Sequence, residues 1–328
     1  MFSPMFSILL IPFIIAMFLS LNMGGSGTAP SFSAAYGAGL IRKDLIPGLF
    51  GIFVFIGAIL AGKKVVLTIG KGILPADIMG LTLTTIILLS VSLSLLFANL
   101  LKIPQSTSQA TVFSLIGPAI FFNKLNTQKL FVEILPTWFI LPIISFIITY
   151  FIGKYIYNPI KERKLVNFAE LSTHPTLKYL VIFTSLYVSF AIGSNNVANA
   201  AGPLASMMSN NLNIAPNSNQ FLLLMIASTL IIAPCFGIGS SIFGYRVVQT
   251  TGKNIIDFGP LGATLISFIT GTLLLFASVT RGIPTSLVQL NTGAIIGLGI
   301  SKVGWKEILN QTSVKKSIPC NFTSSPLK

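Results

Sequence analysis

The chain has 328 residues, of which 53% are hydrophobic and only 9% are charged, and its formal net charge is +14. A soluble protein of this length would be short of polar surface, so the composition predicts an integral membrane protein. The basic residues are scattered through short segments between apolar stretches, as in cytoplasmic loops, and this pattern argues against nucleic-acid binding.

The apolar stretches predict the membrane helices. They fall at 6–22, 45–62, 79–101, 104–122, 131–157, 178–194, 221–243, 260–279 and 283–300. Each is close to the roughly 20 residues that cross the hydrocarbon layer. Several are short or interrupted by Gly and Pro, so we predict an all-α polytopic membrane protein with about eight to ten helical segments. No Lys or Arg precedes Arg42, so the first stretch lacks the basic start of a secretory signal and is expected to be a retained helix.

The two halves of the chain are related in sequence. The residues "GKKVVLTIGKGI" at 62–73 align without gaps to "GYRVVQTTGKNI" at 244–255, and "IPQSTSQATVFSLIG" at 103–117 aligns to "IPTSLVQLNTGAIIG" at 283–297. A twofold internal repeat in a helical membrane protein is typical of secondary transporters, whose site lies between the repeats. The odd number of apolar stretches in the first half indicates that the repeats are inverted. We predict a first repeat at 1–157, a polar linker at 158–177, a second repeat at 178–305 and a polar tail at 306–328.

A stretch rich in small residues follows a membrane helix in each half. The two stretches are "LNMGGSGTAPSFSAAYGAG" at 21–39 and "AIGSNNVANAAGPLAS" at 191–206, with Gly24 aligned to Gly193. Irregular backbone at membrane depth is tolerated only inside protein or beside a watery cavity, so we predict that both stretches break a helix and face a site. Close helix packing is the alternative explanation. The candidates are Ser26, Gly27 and Thr28 for substrate, and Asn22, Asn195, Asn196 and Asn199 for the motif or a coupling ion.

A second pair of related segments supplies hydrogen-bond donors. In "IPQSTSQ" and "IPTSLVQ", hydroxyl and amide side chains follow a proline, the residue favoured in the first turn of a helix. The free N–H groups of such a turn carry partial positive charge and suit an anion. Ordinary N-capping by Ser and Thr is the alternative explanation. We predict that these residues bind an oxyanion: Ser106, Thr107, Ser108, Gln109, Thr285, Ser286 and Gln289.

The two kinds of motif resemble those of the inorganic phosphate transporter superfamily. Its signature is a repeated Gly-Ala-Asn-Asp-x-Ala-Asn motif, to which "GSNNVANAAGP" at 193–203 is similar and "GGSGTAPSFSA" at 24–34 is loosely similar. The Ser-Thr-Ser segment resembles the second conserved element of the family, and the resemblance covers about residues 5–305. It implies an all-helical transporter of inverted repeats that forms a homodimer and carries phosphate across the cell membrane by symport with sodium or protons.

The aspartate of the family motif is replaced in both halves, by Gly27 and by Asn196. In the family this aspartate is associated with cation coupling and with the phosphate site, and the substituted form resembles the bacterial sulfate permease branch. The chemistry of the two anions also favours sulfate. Near neutral pH phosphate is partly protonated and its O–H needs an acceptor such as a carboxylate, whereas sulfate carries no proton. Sulfate is therefore slightly favoured, and sodium- or proton-coupled phosphate transport is the alternative. Four acids outside the motifs would weaken this argument if they reached the site: Asp44, Asp77, Glu133 and Asp257.

Other functional classes find less support in the sequence. A channel would use similar donors but would conduct without saturation. An enzyme would need a nucleophile–base pair or metal ligands, yet the apolar stretches contain no His and only Cys235. His174 lies in the linker and Cys320 in the tail, so no cofactor is expected beyond a coupling cation. Repeat logic predicts a helix after residue 300, but no membrane-length apolar run follows, so either the fold ends early or the chain is truncated.

Overall fold

The computed structural model describes residues 4–101, 105–162, 175–215, 218–244 and 259–304, and all regular structure in these ranges is helical. The helices are α1 (Pro4–Gly37), α2 (Ile46–Ala61), α3 (Lys63–Leu67), α4 (Leu81–Leu101), α5 (Thr107–Phe121), α6 (Leu135–Ile152), α7 (Asn158–Glu162), α8 (Pro175–Asn196), α9 (Ala198–Asn211), α10 (Asn219–Gly239), α11 (Gly259–Thr280) and α12 (Leu287–Val303). Single π-helical turns lie at Thr68–Gly72, Lys129–Ile134, Gly153–Tyr157 and Ser240–Gly244. The predicted all-α class is confirmed.

Seven helical stretches within the described ranges are long and apolar enough to cross a membrane. They are Leu10–Gly37, Lys43–Ala61, Leu81–Leu101, Gln128–Ile160, Thr176–Asn211, Asn219–Gly244 and Leu261–Thr280. Helices α5 and α12 have only 15 and 17 residues, which is short of the roughly 20 that a crossing needs. Both begin inside the protein, because Thr107 and Ser286 are buried. The chain is therefore a multi-pass membrane protein, as predicted.

Helix α1 runs without a break through the stretch of small residues at 21–39, so the predicted interruption there was wrong. Neighbouring helices pack against this stretch and stabilise helical backbone that the propensities of Gly and Ser disfavour. The hydroxyls of Thr28 and Ser31 also donate to carbonyl oxygens one turn earlier. In the second stretch α8 ends at Asn196 and α9 begins at Ala198, but Val197 between them keeps helical backbone angles, with φ of −59° and ψ of −32°, so the backbone continues there without a sharp break.

Helix α1 crosses α10 at very short range. A Cβ atom added at Gly24 would meet the carbonyl oxygen of Phe236, and one added at Gly239 would meet the carbonyl oxygen of Leu21. Only glycine permits two helix backbones to approach this closely. The first helix of the chain is therefore packed on a helix from the second half.

The same crossing recurs between α8 and α2. A Cβ atom at Gly193 would meet the carbonyl oxygen of Val54, and one at Gly57 would meet that of Phe190. These positions correspond to those in α1 and α10 under the alignments of 24 with 193 and of 62–73 with 244–255. The two halves are thus interlocked by equivalent contacts, as expected of repeats related by a twofold axis.

Helix α6 covers one face of α12. The Oγ of Ser145 donates to the carbonyl oxygen of Leu290 over 2.9 Å, and a Cβ at Gly293 would meet the carbonyl oxygen of Pro142. On α5, the counterpart of α12, an added Cβ at Gly117 has no neighbour within 4 Å among the described residues. The packing of α6 fixes the position of the N-terminus of α12.

The repeat boundaries at 157/158, 177/178 and 305/306 stay predictions. Residues 163–174, 245–258 and 305–328 lie outside the described ranges. His174, Asp257, Cys320 and most of the predicted linker and tail fall among them.

Candidate functional site

Asn195, at the C-terminal end of α8, uses every hydrogen-bonding position of its side-chain amide. Its Oδ1 accepts from the backbone N–H of Thr285 over 3.1 Å and from the Oγ of Ser108 over 3.3 Å. Its Nδ2 donates to the Oγ of Ser278 over 2.8 Å and to the carbonyl oxygen of Ile283 over 3.0 Å. The side chain is fully buried. Asn195 therefore joins α8 to α5, to α11 and to the segment before α12.

The orientations in this network follow from groups that cannot reverse their polarity. A backbone N–H only donates and a carbonyl oxygen only accepts, so Thr285 and Ile283 fix which way the Asn195 amide faces. The hydroxyl of Ser108 must then donate to Asn195. Its lone pairs remain for Asn199, whose Nδ2 lies 3.4 Å from the Ser108 Oγ. Asn199 consequently turns its Oδ1 away from Ser108.

The Oδ1 of Asn199 is buried and meets no donor in the described part of the chain. Leaving such an acceptor unsatisfied costs about 1–3 kcal/mol. We call Ser108, Asn195, Asn199, Ser278 and Thr285 the asparagine cluster; each of them is almost fully buried. The cluster thus presents one open acceptor, which suits a hydrogen-bond donor or a cation.

Helices α5 and α12 begin in the same way. The Oγ of Ser106 accepts from the backbone N–H of Gln109, and the Oγ of Ser286 accepts from that of Gln289, both over 3.3 Å. The backbone angles of the two serines are also similar, with φ of −83° and −87° and ψ of 112° and 106°. Each cap satisfies one N–H and leaves others in the first turn without a partner within the helix. Both turns therefore carry the partial positive charge expected of an anion site.

The first-half motif residues bond elsewhere. Asn22 Oδ1 accepts from Asn99 Nδ2 over 3.3 Å, between α1 and α4. Thr28 Oγ1 is hydrogen-bonded to Ser240 Oγ over 2.8 Å, in the π-helical turn after α10. Ser26 donates within its own helix to the carbonyl oxygen of Met23. A Cβ at Gly27 would contact the rings and methyls of α2 and α8 instead of a polar group.

The structure therefore brings together some of the predicted site residues and separates others. Ser108, Asn195, Asn199 and Thr285 form one network, with Thr107 buried beside Ser108. No hydrogen bond between described residues links this network to the predicted residues of α1. Asn196 is partly exposed beside the cluster.

A groove of about 450 Å³ lies between α4 and α5. In it, Gln105 Nε2 donates to Ser94 Oγ over 2.6 Å, while the buried Oε1 of Gln105 meets no donor among the described residues. The groove is lined by Ser90, Val91, Ser94, Gln105, Ser106, Gln109, Ala110, Phe113 and Ser114. It gives Ser106 and Gln109 a polar, accessible setting on the outer side of the α5 N-terminus.

The described carboxylates with an ion partner lie outside the asparagine cluster. Asp44 pairs with Arg42 over 3.4 Å, and Glu133 pairs with Lys129 over 2.7 Å. Asp77 is exposed in a short 3-10 turn at Ala76–Ile78. Within the described ranges no three His, Cys, Asp or Glu side chains are grouped so that they could hold a metal ion. The hydrogen bonds of the cluster thus come from neutral groups.

Basic side chains gather near the segment that precedes α12. Lys64 Nζ donates to the last carbonyl oxygen of α11 over 2.9 Å, and Lys129 Nζ donates to the carbonyl oxygen of Arg281 over 3.5 Å. In the π-helical turn at Thr68–Gly72, the Nζ of Lys71 lies 5.3 Å from the ring centre of Phe221. Partial burial lowers the pKa of this ammonium group. These charges favour anions on this side of the cluster.

Three residues with hydrogen bonds in or beside the candidate site were not predicted: Ser278 in the asparagine cluster, Gln105 in the groove and Trp138 beside the segment before α12. Gln105 had a usable signal, because it aligns with Thr285 and precedes Ser106. Ser278 and Trp138 had none. Trp138 Nε1 donates to the carbonyl oxygen of Pro284 over 2.8 Å, across 146 residues of sequence, and no local pattern marks such a contact.

Known proteins resemble the chain over most of its length. The family model described as the phosphate transporter family matches residues 23–319. The chain is 33% identical to the sulfate permease CysP of Bacillus subtilis, over 94% of this chain and 83% of that protein. It is 27% identical to a Thermococcus kodakarensis protein named as a putative phosphate permease, over 97% of this chain and 94% of that protein.

A solved structure shares the fold. The structure of a sodium-dependent phosphate transporter matches with a TM-score of 0.74, covering 95% of this chain and 93% of its own at 24% identity.

Proposed function

Because the chain belongs to the phosphate transporter family, and is therefore a multi-pass anion permease of the cell membrane, we propose that the oxyanion it carries is sulfate. The observation that carries this proposal is the neutral character of the asparagine cluster, whose hydrogen bonds involve hydroxyl, amide and backbone groups only. Sulfate has no proton to donate, and a carboxylate at this place would repel the dianion. The similarity to a sulfate permease supports the same substrate.

The oxyanion binds between the first turns of α5 and α12. Residues Ser106 to Gln109 and Thr285 to Gln289 supply hydroxyl groups and backbone N–H groups from opposite halves of the chain. Helix-end dipoles and hydrogen bonds together replace the hydration shell of the anion. This arrangement explains why the same Pro-x-Ser-x-x-Gln pattern occurs twice. The predicted residues of the first motif segment, Ser26, Gly27 and Thr28, do not take part, because the hydroxyls of Ser26 and Thr28 bond within α1 and to Ser240, and Gly27 faces apolar side chains.

Transport proceeds by alternating access, with one repeat moving against the other. The Ser108–Asn195 bond connects the two halves, so it closes the site in one state and breaks in the other. The repeats are those at 1–157 and 178–305, and the protein works as a homodimer, as its family resemblance implies. Uptake in this scheme saturates with substrate, which separates it from conduction through a channel.

A coupling cation, either a proton or sodium, binds at Asn199. Its Oδ1 is the open acceptor of the asparagine cluster, whereas the amide of Asn195 is fully occupied. Oxygen atoms are the ligands that hard cations prefer. Asn196 is the adjacent candidate, and Asn22, which is bonded to Asn99, is the less accessible one.

Phosphate is the second candidate, and one observation favours it. The Oδ1 of Asn199 would accept the hydrogen bond of a protonated phosphate oxygen, which sulfate does not offer. In this case the oxygen of Asn199 serves the substrate and not a cation. The two cases predict different ion requirements.

The test is uptake of radiolabelled sulfate, and separately of phosphate, into proteoliposomes that contain the purified protein. An imposed proton gradient is applied with and without external sodium. Saturable sulfate uptake with little phosphate uptake supports the proposal. Sodium-stimulated phosphate uptake that exceeds sulfate uptake refutes it and establishes the second candidate. A flux that rises linearly with substrate would indicate a channel.

A further inference from the structure

The segment between α11 and α12 is held by four side chains from three helical stretches: α3, the stretch Gln128–Ile160 and α8. Each donates to a backbone carbonyl oxygen: Lys64 to Thr280 over 2.9 Å, Lys129 to Arg281 over 3.5 Å, Asn195 to Ile283 over 3.0 Å and Trp138 to Pro284 over 2.8 Å. The turn in the middle is tight, because Gly282 has a φ of +64° and packs directly on the backbone of Lys64. The segment is thus tied down along its whole length.

One peptide group in this segment is hydrogen-bonded on both of its sides. The carbonyl oxygen of Pro284 accepts from the indole N–H of Trp138, while the N–H of Thr285 in the same peptide donates to Asn195 Oδ1 over 3.1 Å. In a trans peptide the C=O and N–H bonds point in opposite directions. Two partners on opposite sides therefore fix the rotation of the peptide plane about the chain axis.

This peptide lies directly before the N-terminus of α12. Ser286 is the N-cap, and the free N–H groups of the first turn follow at once. The direction in which those N–H groups point depends on the plane of the peptides before them. Trp138 and Asn195 together therefore determine the direction of the free N–H groups in the first turn of α12.

Trp138 is well placed for this task. It lies on α6, in the first half of the chain, and its side chain is almost fully buried at 4% exposure. Its ring also contacts Phe113 of α5, with 5.9 Å between ring centres. The indole N–H can only donate, so its partner in this contact must be an acceptor such as the Pro284 carbonyl oxygen. Trp138 thus contacts both α5 and the segment before α12.

We infer that Trp138 is a positioning residue for oxyanion binding: it holds the Pro284–Thr285 peptide so that the N–H groups at the start of α12 face the anion. Trp138 itself donates to the protein backbone and not to the substrate. The inference rests on the proposed function, because it assumes that an oxyanion binds at this helix end. It assigns to an aromatic residue of α6 a part in substrate affinity.

The test compares Trp138→Phe with Phe139→Leu, its neighbour on the lipid-facing side at 70% exposure. Trp138→Phe keeps an aromatic ring and removes the N–H donor. We expect the KM for radiolabelled sulfate uptake in proteoliposomes to rise about tenfold, because one oriented hydrogen-bonding element is lost. The maximal rate should change less than twofold. Phe139→Leu should change neither quantity. A merely structural role would lower the amount of active protein and the maximal rate, and not raise the KM.

Hydrogen–deuterium exchange gives a readout that does not depend on transport. The amides of residues 285–289 should exchange at least fivefold faster in Trp138→Phe than in wild type, and at the wild-type rate in Phe139→Leu. If Trp138→Phe does not fold, Lys64→Met is the substitute, because Lys64 is exposed and its ammonium group donates to the Thr280 carbonyl oxygen in the same segment. In Lys64→Met the exchange rate of the amides at 281–285 and the KM for sulfate should each rise about twofold.

Each outcome decides one claim. An unchanged KM or unchanged exchange in Trp138→Phe, or in Lys64→Met where that variant replaces it, overturns the inference. If wild type takes up neither sulfate nor phosphate, the proposed function fails, and the inferred role in affinity fails with it. Faster exchange at 285–289 in Trp138→Phe would then show only that Trp138 stabilises the local structure.

Discussion

The Oγ of Ser108 donates a hydrogen bond to the Oδ1 of Asn195 over 3.3 Å, from the first turn of α5 in one half of the chain to the end of α8 in the other. The three other bonds of Asn195 stay within the second half. A movement that separates α5 from α8 would therefore break the Ser108 bond while Asn195 remains attached to α11 and to the segment before α12. This difference makes Ser108 the first residue to replace.

Ser108→Ala removes the bond to Asn195 and also the acceptor of the Asn199 amide. Loss of about 1 kcal/mol of oriented hydrogen bonding corresponds to roughly fivefold weaker binding. We expect sulfate uptake at low concentration to fall about fivefold or more in proteoliposomes. Thr292→Ala is the control, because Thr292 is exposed and its hydroxyl donates within α12 to the carbonyl oxygen of Val288. Wild-type uptake by Ser108→Ala would remove Ser108 from the site.

Asn195→Ala leaves the buried N–H of Thr285 without its partner and removes one of the two donors to the Ile283 carbonyl oxygen, which keeps the bond from the Thr285 hydroxyl. An unsatisfied buried group costs about 1–3 kcal/mol. We expect uptake to be lost and the melting temperature in detergent to fall by several degrees. Asn196→Ala should leave the melting temperature unchanged, since Asn196 is partly exposed. Equal melting temperatures for all three proteins would contradict the role of Asn195 as a cross-link.

Gly24→Ala and Gly193→Ala should destabilise the protein to a similar degree. Each added Cβ meets a backbone carbonyl of a crossing helix, that of Phe236 or that of Val54. Overpacking of this kind costs about 1–3 kcal/mol. Gly117→Ala is the matched control, because its Cβ meets no described atom within 4 Å, and replacing helical Gly adds up to about 1 kcal/mol of stability. Thermal unfolding in detergent measures all three, and a stable Gly193→Ala would refute the interlocked crossing.

Ser106→Ala and Ser286→Ala remove the two equivalent caps. Each should lower the free energy of unfolding by about 1 kcal/mol, and the double variant by the sum, because the caps share no bond in the described network. Chemical denaturation in mixed micelles tests this. Strongly unequal effects would show that the two helix starts are not equivalent in the folded protein.

Features with a local cause could be predicted from the sequence. The starts of α5 and α12 follow from Ser106 and Ser286, because an N-cap serine acts on the adjacent turn, but the prediction that proline lies in the first turn was wrong for Pro284, which lies two residues before the N-cap. The asparagines of the second motif were found because the polar residues interrupt an apolar stretch. Here the local signal and the final structure agree.

Features decided by packing could not be predicted. The helix through Gly24 and Gly25 is continuous because α10 and the π-helical turn after it pack directly against both residues. The sequence around the two glycines does not indicate these tertiary contacts. Ser278 and Trp138 reach their partners from 83 and 146 residues away. A single sequence carries no record of such distant contacts.

Asn195 and its counterpart Ser26 make the two halves unequal, because Asn195 makes four hydrogen bonds to other elements, whereas Ser26 donates within its own helix. With identical inverted repeats, exchange of their conformations would turn an inward-open state into an outward-open state of the same energy. That degeneracy is lifted here, because the bonds of Asn195 tie α8 to other elements in the second half, while Ser26 ties α1 to no other element through a described hydrogen bond. We therefore expect a preferred resting orientation, and forward and reverse fluxes under equal and opposite gradients that differ in rate.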